Sequence, residues 1–71
     1  MKEAIITKFG ARIKALRNEK GWSQELLAEK TGFHRTYVGM VERGERNITL
    51  KNIEIFANVF ELKIKDIFEN I

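Results

Sequence analysis

Apolar residues recur along this chain at helical spacing, and nothing alternates with period two over a useful length. Phe9, Ile13 and Leu16 lie four and three residues apart, with Ile5 or Ile6 one turn earlier, which predicts an amphipathic first helix that stops near Gly21. Ser23 is a good N-cap for a second helix over Gln24–Thr31, with Leu27 and Ala28 as its apolar face. The third position of that helix is Leu26, so no capping box is expected; Trp22 and Leu27 are placed for a hydrophobic staple instead. Gly32 supplies a left-handed turn. A third helix runs from about Arg35 to Arg43, with Val38 and Val41 inward, Phe33 plugging the preceding turn and Gly44 closing it. Thr49 caps a fourth helix in which Leu50, Ile53, Phe56, Ala57 and Phe60 follow the core spacing, and Ile64, Ile67 and Phe68 mark a short fifth. The expected fold is all-α, a five-helix bundle forming one domain over residues 1–71 with no linker.

A chain of 71 residues supports one small core and is marginally stable unless helix packing or a second copy of the chain helps it. There is no cysteine, hence neither a disulfide nor a thiolate metal site, and no proline. No apolar run approaches the roughly 18 residues of a membrane span, and "EAIITKFGARI" is too short and interrupted for a signal peptide. A cytoplasmic protein is the expectation. Residues 1–46 hold ten Lys or Arg against six Glu, whereas residues 47–71 hold three against four acidic residues. The net charge of +3 is therefore concentrated in the first two thirds of the chain. That distribution suits either a polyanionic partner or a solvated basic face.

Catalysis finds no support in the residue inventory. The single Ser, His and Asp are Ser23, His34 and Asp66, which form no convergent set, and one histidine without cysteine falls short of a metal-ligand set. No cofactor, metal or small-molecule ligand is expected.

Gln24, Ala28, Gly32 and Val38 carry a specific spacing. Ala28 is small where two helices cross closely, Gly32 permits a positive φ in a three-residue turn, and Val38 with Val41 locks the second of the two helices onto the first. Together with Leu27 and Phe33, this pattern resembles the helix-turn-helix of the phage-repressor type, also called Xre-like, over nearly the whole chain. "RIKALRNEKGWSQ" and "VERGERNITL" extend the likeness at both ends. Within that group, "HRTYVG" followed by "ERGERN" is similar to the controller proteins of bacterial restriction-modification systems, which are small dimeric regulators. Two positions depart from the pattern. His34 stands where a capping Asp, Asn or Ser is usual, and Gly39 replaces a small polar residue on the groove-facing side.

The resemblance implies double-stranded DNA as partner. The N-terminal end of the third helix would enter the major groove, directing His34, Arg35, Thr36 and Gly39 toward base edges, with Arg35 suited to a two-bond grip on guanine. For His34, helix capping and phosphate contact are further roles. Phosphate contacts are expected from Ser23 and Gln24 at the start of the second helix, from Arg43, Arg46 and Asn47, and from Lys51. The alternative for each arginine and for Lys51 is solvated surface. Tyr37 is expected either to bond a phosphate or to lie half-buried against the second helix. The resemblance also pairs Arg17 with Glu42 as a partly buried, bidentate structural contact.

One domain of this size reaches a single half-site. A second apolar stripe, Ile48, Asn52, Ile55 and Val59, falls off the core face of the fourth helix; with Ile71 alongside, it is the expected surface of a two-fold homodimer, the alternative being scattered exposed apolar residues. The functional expectation is a transcription regulator on a (pseudo)palindromic operator, with RNA polymerase as a candidate further partner. A second reading is an antitoxin-type protein-interaction module on the same fold.

Overall fold

The helical spacing is realised as five helices. In the computed structural model, which describes residues 4–69 and 71, they are α1 (Ala4–Glu19), α2 (Gln24–Thr31), α3 (Arg35–Glu42), α4 (Leu50–Val59) and α5 (Ile64–Phe68), with no strand among the described residues. The expected domain includes residues 1–3 and 70, which lie outside that description.

Side chains punctuate the helices as their chemistry requires. Ser23 Oγ accepts the Leu26 N–H at 3.0 Å, and Thr49 Oγ1 accepts the Asn52 N–H at 3.2 Å; each satisfies a first-turn amide that has no acceptor inside its helix. Gly32 adopts φ 82° and returns its N–H to the Ala28 carbonyl. Only glycine takes this conformation without strain.

The layers meet on a core whose innermost side chains are Phe56, Ile13, Leu27, Ile67, Val38 and Val41. Each fully buried Val, Phe, Leu or Ile contributes about 1.5 to 3 kcal/mol. Aromatic rings bridge the elements: Phe9 of α1 meets Phe56 edge-on at 6.2 Å and stacks on Phe68 at 5.5 Å, while Phe33 packs against Phe56 at 5.2 Å.

Several details differ from the pattern. Leu50 is 78% exposed although it falls on the core spacing. It is the first residue of α4, and side chains lean toward a helix N-terminus, so it projects past the packed layer into solvent. Ile6 rather than Ile5 faces inward, Ile5 being exposed. Helix α3 ends at Glu42, and Arg43 is its C-cap. Trp22 stacks on Phe60 at 5.5 Å and lies under the Lys30 ammonium at 4.7 Å, so its ring is engaged by α4's end and by α2's last turn.

Two contacts were not anticipated. Gly10 sits where α1 crosses α3: a Cβ there would press on the Val41 carbonyl and lie 2.8 Å from that of Glu42. Arg12 donates from Nε to the Ile67 carbonyl at 3.1 Å and from Nη2 to that of Asp66 at 3.3 Å, placing a cation on the carbonyls of α5.

Candidate nucleic-acid interface

Helices α2 and α3 are joined by a turn that is bonded internally. Thr31 Oγ1 lies 2.9 Å from the Leu27 carbonyl and 3.1 Å from that of Ala28, and accepts the Phe33 N–H at 3.2 Å. Ala28 and Leu27 of α2 and Val38 of α3 are buried in one core, and the two helices pack against each other. Close packing through a small residue on α2 fixes the angle at which α3 leaves the body.

A charged cluster locks the other end. Arg17 donates from Nε to Glu42 Oε2 at 2.7 Å and from Nη2 to Oε1 at 3.1 Å, and its Nη1 donates to the Trp22 carbonyl at 2.8 Å. The pair is bidentate, and its side chains are only 11% and 2% exposed. Gln24 adds a third donor, Nε2 to Glu42 Oε1 at 3.0 Å. Its side-chain amide is therefore tied to Glu42, and its backbone amide, at the first position of α2, has no acceptor within the helix.

Around this scaffold the residues singled out from the sequence lie as follows. His34, Arg35 and Thr36 are exposed together at the N-terminal end of α3. His34 has the extended conformation of an N-cap (φ −69°, ψ 145°), but its side chain makes no capping hydrogen bond, so the expected capping role is one of backbone position alone. Arg35 Nε is 3.8 Å from Glu25 Oε1, with both side chains largely exposed; such a pair is screened and adds little stability. Gly39 is buried, covered by the side chains of Arg43 and Gln24.

Ser23, Arg43, Arg46, Asn47 and Lys51 are all exposed. Arg43 Nε lies 3.1 Å from Glu45 Oε2, and the Arg46 guanidinium lies 5.3 Å from the centre of the Tyr37 ring. Tyr37 is half-buried, edge-on to Phe33 at 4.9 Å, and its hydroxyl accepts from Asn52 Nδ2 at 3.0 Å. It thus packs on the turn and reaches α4 through its hydroxyl.

The apolar stripe divides. Ile48, Val59 and Ile71 are partly buried against the core, and Asn52 is engaged by Tyr37, whereas Ile55 is half-exposed and stands outside that packing. Ile48 also borders a surface groove shared with Ile5, Ile6, Phe9, Asn47, Ile53 and Phe68.

Glu25 and Glu45 escaped the sequence reading. Glu25 meets Arg35 across a turn, and no helical spacing encodes that meeting. The Arg43–Glu45 contact spans two residues beyond a helix end, where no i,i+4 rule applies. Among the described residues no group of His, Cys, Asp and Glu has the arrangement of a metal site, and no helix is long and apolar enough to cross a membrane.

The sequence profile of the helix-turn-helix family matches residues 13–67. The crystal structure of the restriction-modification controller protein C.AhdI from Aeromonas hydrophila superposes with a TM-score of 0.88 at 45% identity, over 93% of this chain and 100% of that one. The chain belongs to the helix-turn-helix family of controller proteins. Control protein C.SmaI of Serratia marcescens is 46% identical over 52 residues, which cover 73% of this chain and 62% of the relative's length. The controller protein C.Esp1396I, solved as a tetramer in complex with its natural 35 base-pair operator, matches with a TM-score of 0.89 at 36% identity over 97% of this chain and 91% of that chain. The likeness to controllers thus extends from "HRTYVG" and "ERGERN" to the arrangement of all five helices.

Proposed function

We propose that this chain is a sequence-specific regulator of transcription that binds double-stranded DNA as a homodimer and serves as the controller protein of a restriction-modification system. The observation that carries the reading is the buried Arg17–Glu42–Gln24 cluster, which ties the end of α1 and the start of α2 to the last residue of α3, with His34, Arg35 and Thr36 exposed at the other end of that helix. Its likeness to C.Esp1396I, whose structure includes its operator, supports the same reading.

In mechanism, the first-turn amides of α2 behind Ser23 meet a phosphate through backbone donors and the helix dipole, which sets the depth and register of α3 in the major groove. Arg35 then reads a base edge, joined by Thr36 and His34. Arg46, Asn47 and Lys51 neutralise phosphates on either side, and Tyr37 acts by supporting the Arg46 guanidinium. One domain covers a single half-site, so a second copy, docked through α4, α5 and the half-exposed Ile55, supplies the other half at a spacing of about 34 to 36 Å. The protein acts by binding rather than by turnover, in the bacterial cytoplasm, with RNA polymerase as a further partner at the promoter.

The test is selection from randomised duplex DNA followed by titration of the enriched sequence against a scrambled one. A two-fold-symmetric consensus bound at least about 10³-fold more tightly than the scrambled duplex is expected. Equal binding to both duplexes would overturn sequence-specific regulation.

A further inference from the structure

Arg35, Gly39 and Arg43 are spaced by four residues, so they share one face of α3 and its C-cap, the face turned away from Val38 and Val41. The middle position lacks a side chain, and a neighbour fills the space. A Cβ placed on Gly39 would lie 3.0 Å from Arg43 Nη1, 3.8 Å from Arg43 Cζ and 3.7 Å from Gln24 Oε1. That is why Gly39 is buried although it lies on the outer face.

Side chains at a helix end lean back toward the N-terminus, so Arg43 lays its guanidinium over Gly39 instead of extending past the helix. Glu45 Oε2 lies 3.1 Å from Nε, and the side chain remains 56% exposed. A guanidinium bound for a phosphate belongs at the rim of the groove. This one lies along the middle of the helix, where a recognition helix faces the groove floor.

Resting on the DNA-binding reading above, we propose that Arg43 is a second base-reading side chain that recognises a guanine edge, and that the missing side chain at Gly39 is what admits it to the reading face. This reassigns Arg43 from the phosphate role expected from the sequence. The retracted guanidinium lies near the level of Gly39, four residues or about 6 Å along the axis from Arg35.

The experiment is selection from randomised duplex with the intact chain and with Arg35→Ala, Arg43→Ala, Arg43→Lys and Gly39→Ser, each checked for an unchanged helical circular-dichroism spectrum. Arg43→Ala and Arg43→Lys are both expected to lose preference for guanine, by about ten-fold or more, at one position per half-site distinct from the position lost in Arg35→Ala. Lysine keeps the charge but not the fork that grips guanine O6 and N7. Gly39→Ser is expected to lose the same position as the Arg43 variants, because its side chain displaces the guanidinium. A uniform loss over all sequences that Arg43→Lys restores makes Arg43 a phosphate contact and overturns the proposal, as does a Gly39→Ser protein that keeps the Arg43-dependent preference. If the unmutated protein enriches no sequence, the DNA-binding reading falls and this proposal falls with it.

Discussion

Arg17 and Glu42 join the ends of α1 and α3 through two parallel hydrogen bonds, and the carboxylate is the more deeply buried partner, 2% exposed against 11%. Among the described residues, Glu42 receives two donors from Arg17 and one from Gln24. Donors of this kind, two of them charged, offset much of the hydration that a buried carboxylate gives up.

Removal of that carboxylate is the first prediction. Glu42→Ala leaves a nearly buried guanidinium without its counter-charge and is expected to destabilise the fold by about 3 to 5 kcal/mol, a large share of the stability of a domain this small. Urea or thermal unfolding measures it, and a midpoint unchanged from the parent protein would show that the pair contributes nothing net.

Gly10→Ala tests the crossing of α1 over α3. Alanine favours a helix interior by about 1 kcal/mol, so local propensity predicts a gain. Its methyl would meet backbone carbonyls of Val41 and Glu42, which cannot swing aside as a side chain tip does. A net loss of about 2 to 3 kcal/mol is expected, and a stabilised Gly10→Ala protein would refute the close approach.

Ile55→Glu addresses self-association. Because Ile55 stands outside the core packing, the charge is expected to leave thermal unfolding of the monomer nearly unchanged while sedimentation shows loss of the dimer and operator affinity drops. A persistent dimer would move the interface away from α4.

The contrast between Arg35 and Arg46 separates reading from holding. Arg35→Ala is expected to relax base preference at one position per half-site and to spare non-specific binding. Arg46→Ala is expected to weaken operator and scrambled duplexes alike, reducing the slope of log affinity against log salt by about one. The paired titration over a salt series would reverse the two assignments if the phenotypes were exchanged.

Fold and site were not equally legible. The helix boundaries followed from Phe9, Ile13 and Leu16, from the Ser23 and Thr49 caps and from Gly32, because apolar period, caps and positive-φ glycines are local properties written within a few residues. Leu50 misled because periodicity ignores where a helix ends relative to the core. Gly10 and Arg12 were silent because each acts on a partner far along the chain: Gly10 on the backbone at Val41 and Glu42, and Arg12 on the carbonyls of Asp66 and Ile67. A glycine within a helical pattern reads as a weakness until the second helix is seen lying on it. At the site, the resemblance to the phage-repressor type pointed to the Arg17–Glu42 pair, and the structure brings the two together. Only geometry showed that Gln24 bonds Glu42 and that Arg43 fills the space left at Gly39.

On α3, the side chains that secure the body are Val38, Val41 and Glu42, whereas Arg35 and Thr36 face outward with no part in the core. Selection can therefore retune one set while leaving the other intact. On the proposed reading of base edges by Arg35 and Thr36, a duplicated copy of such a gene can drift at these positions toward a new operator without first losing its fold, and two such regulators sharing one cell can become insulated from each other by a few exchanges. On that reading, the eight residues of this helix carry part of an address that is rewritable on a scaffold that is not.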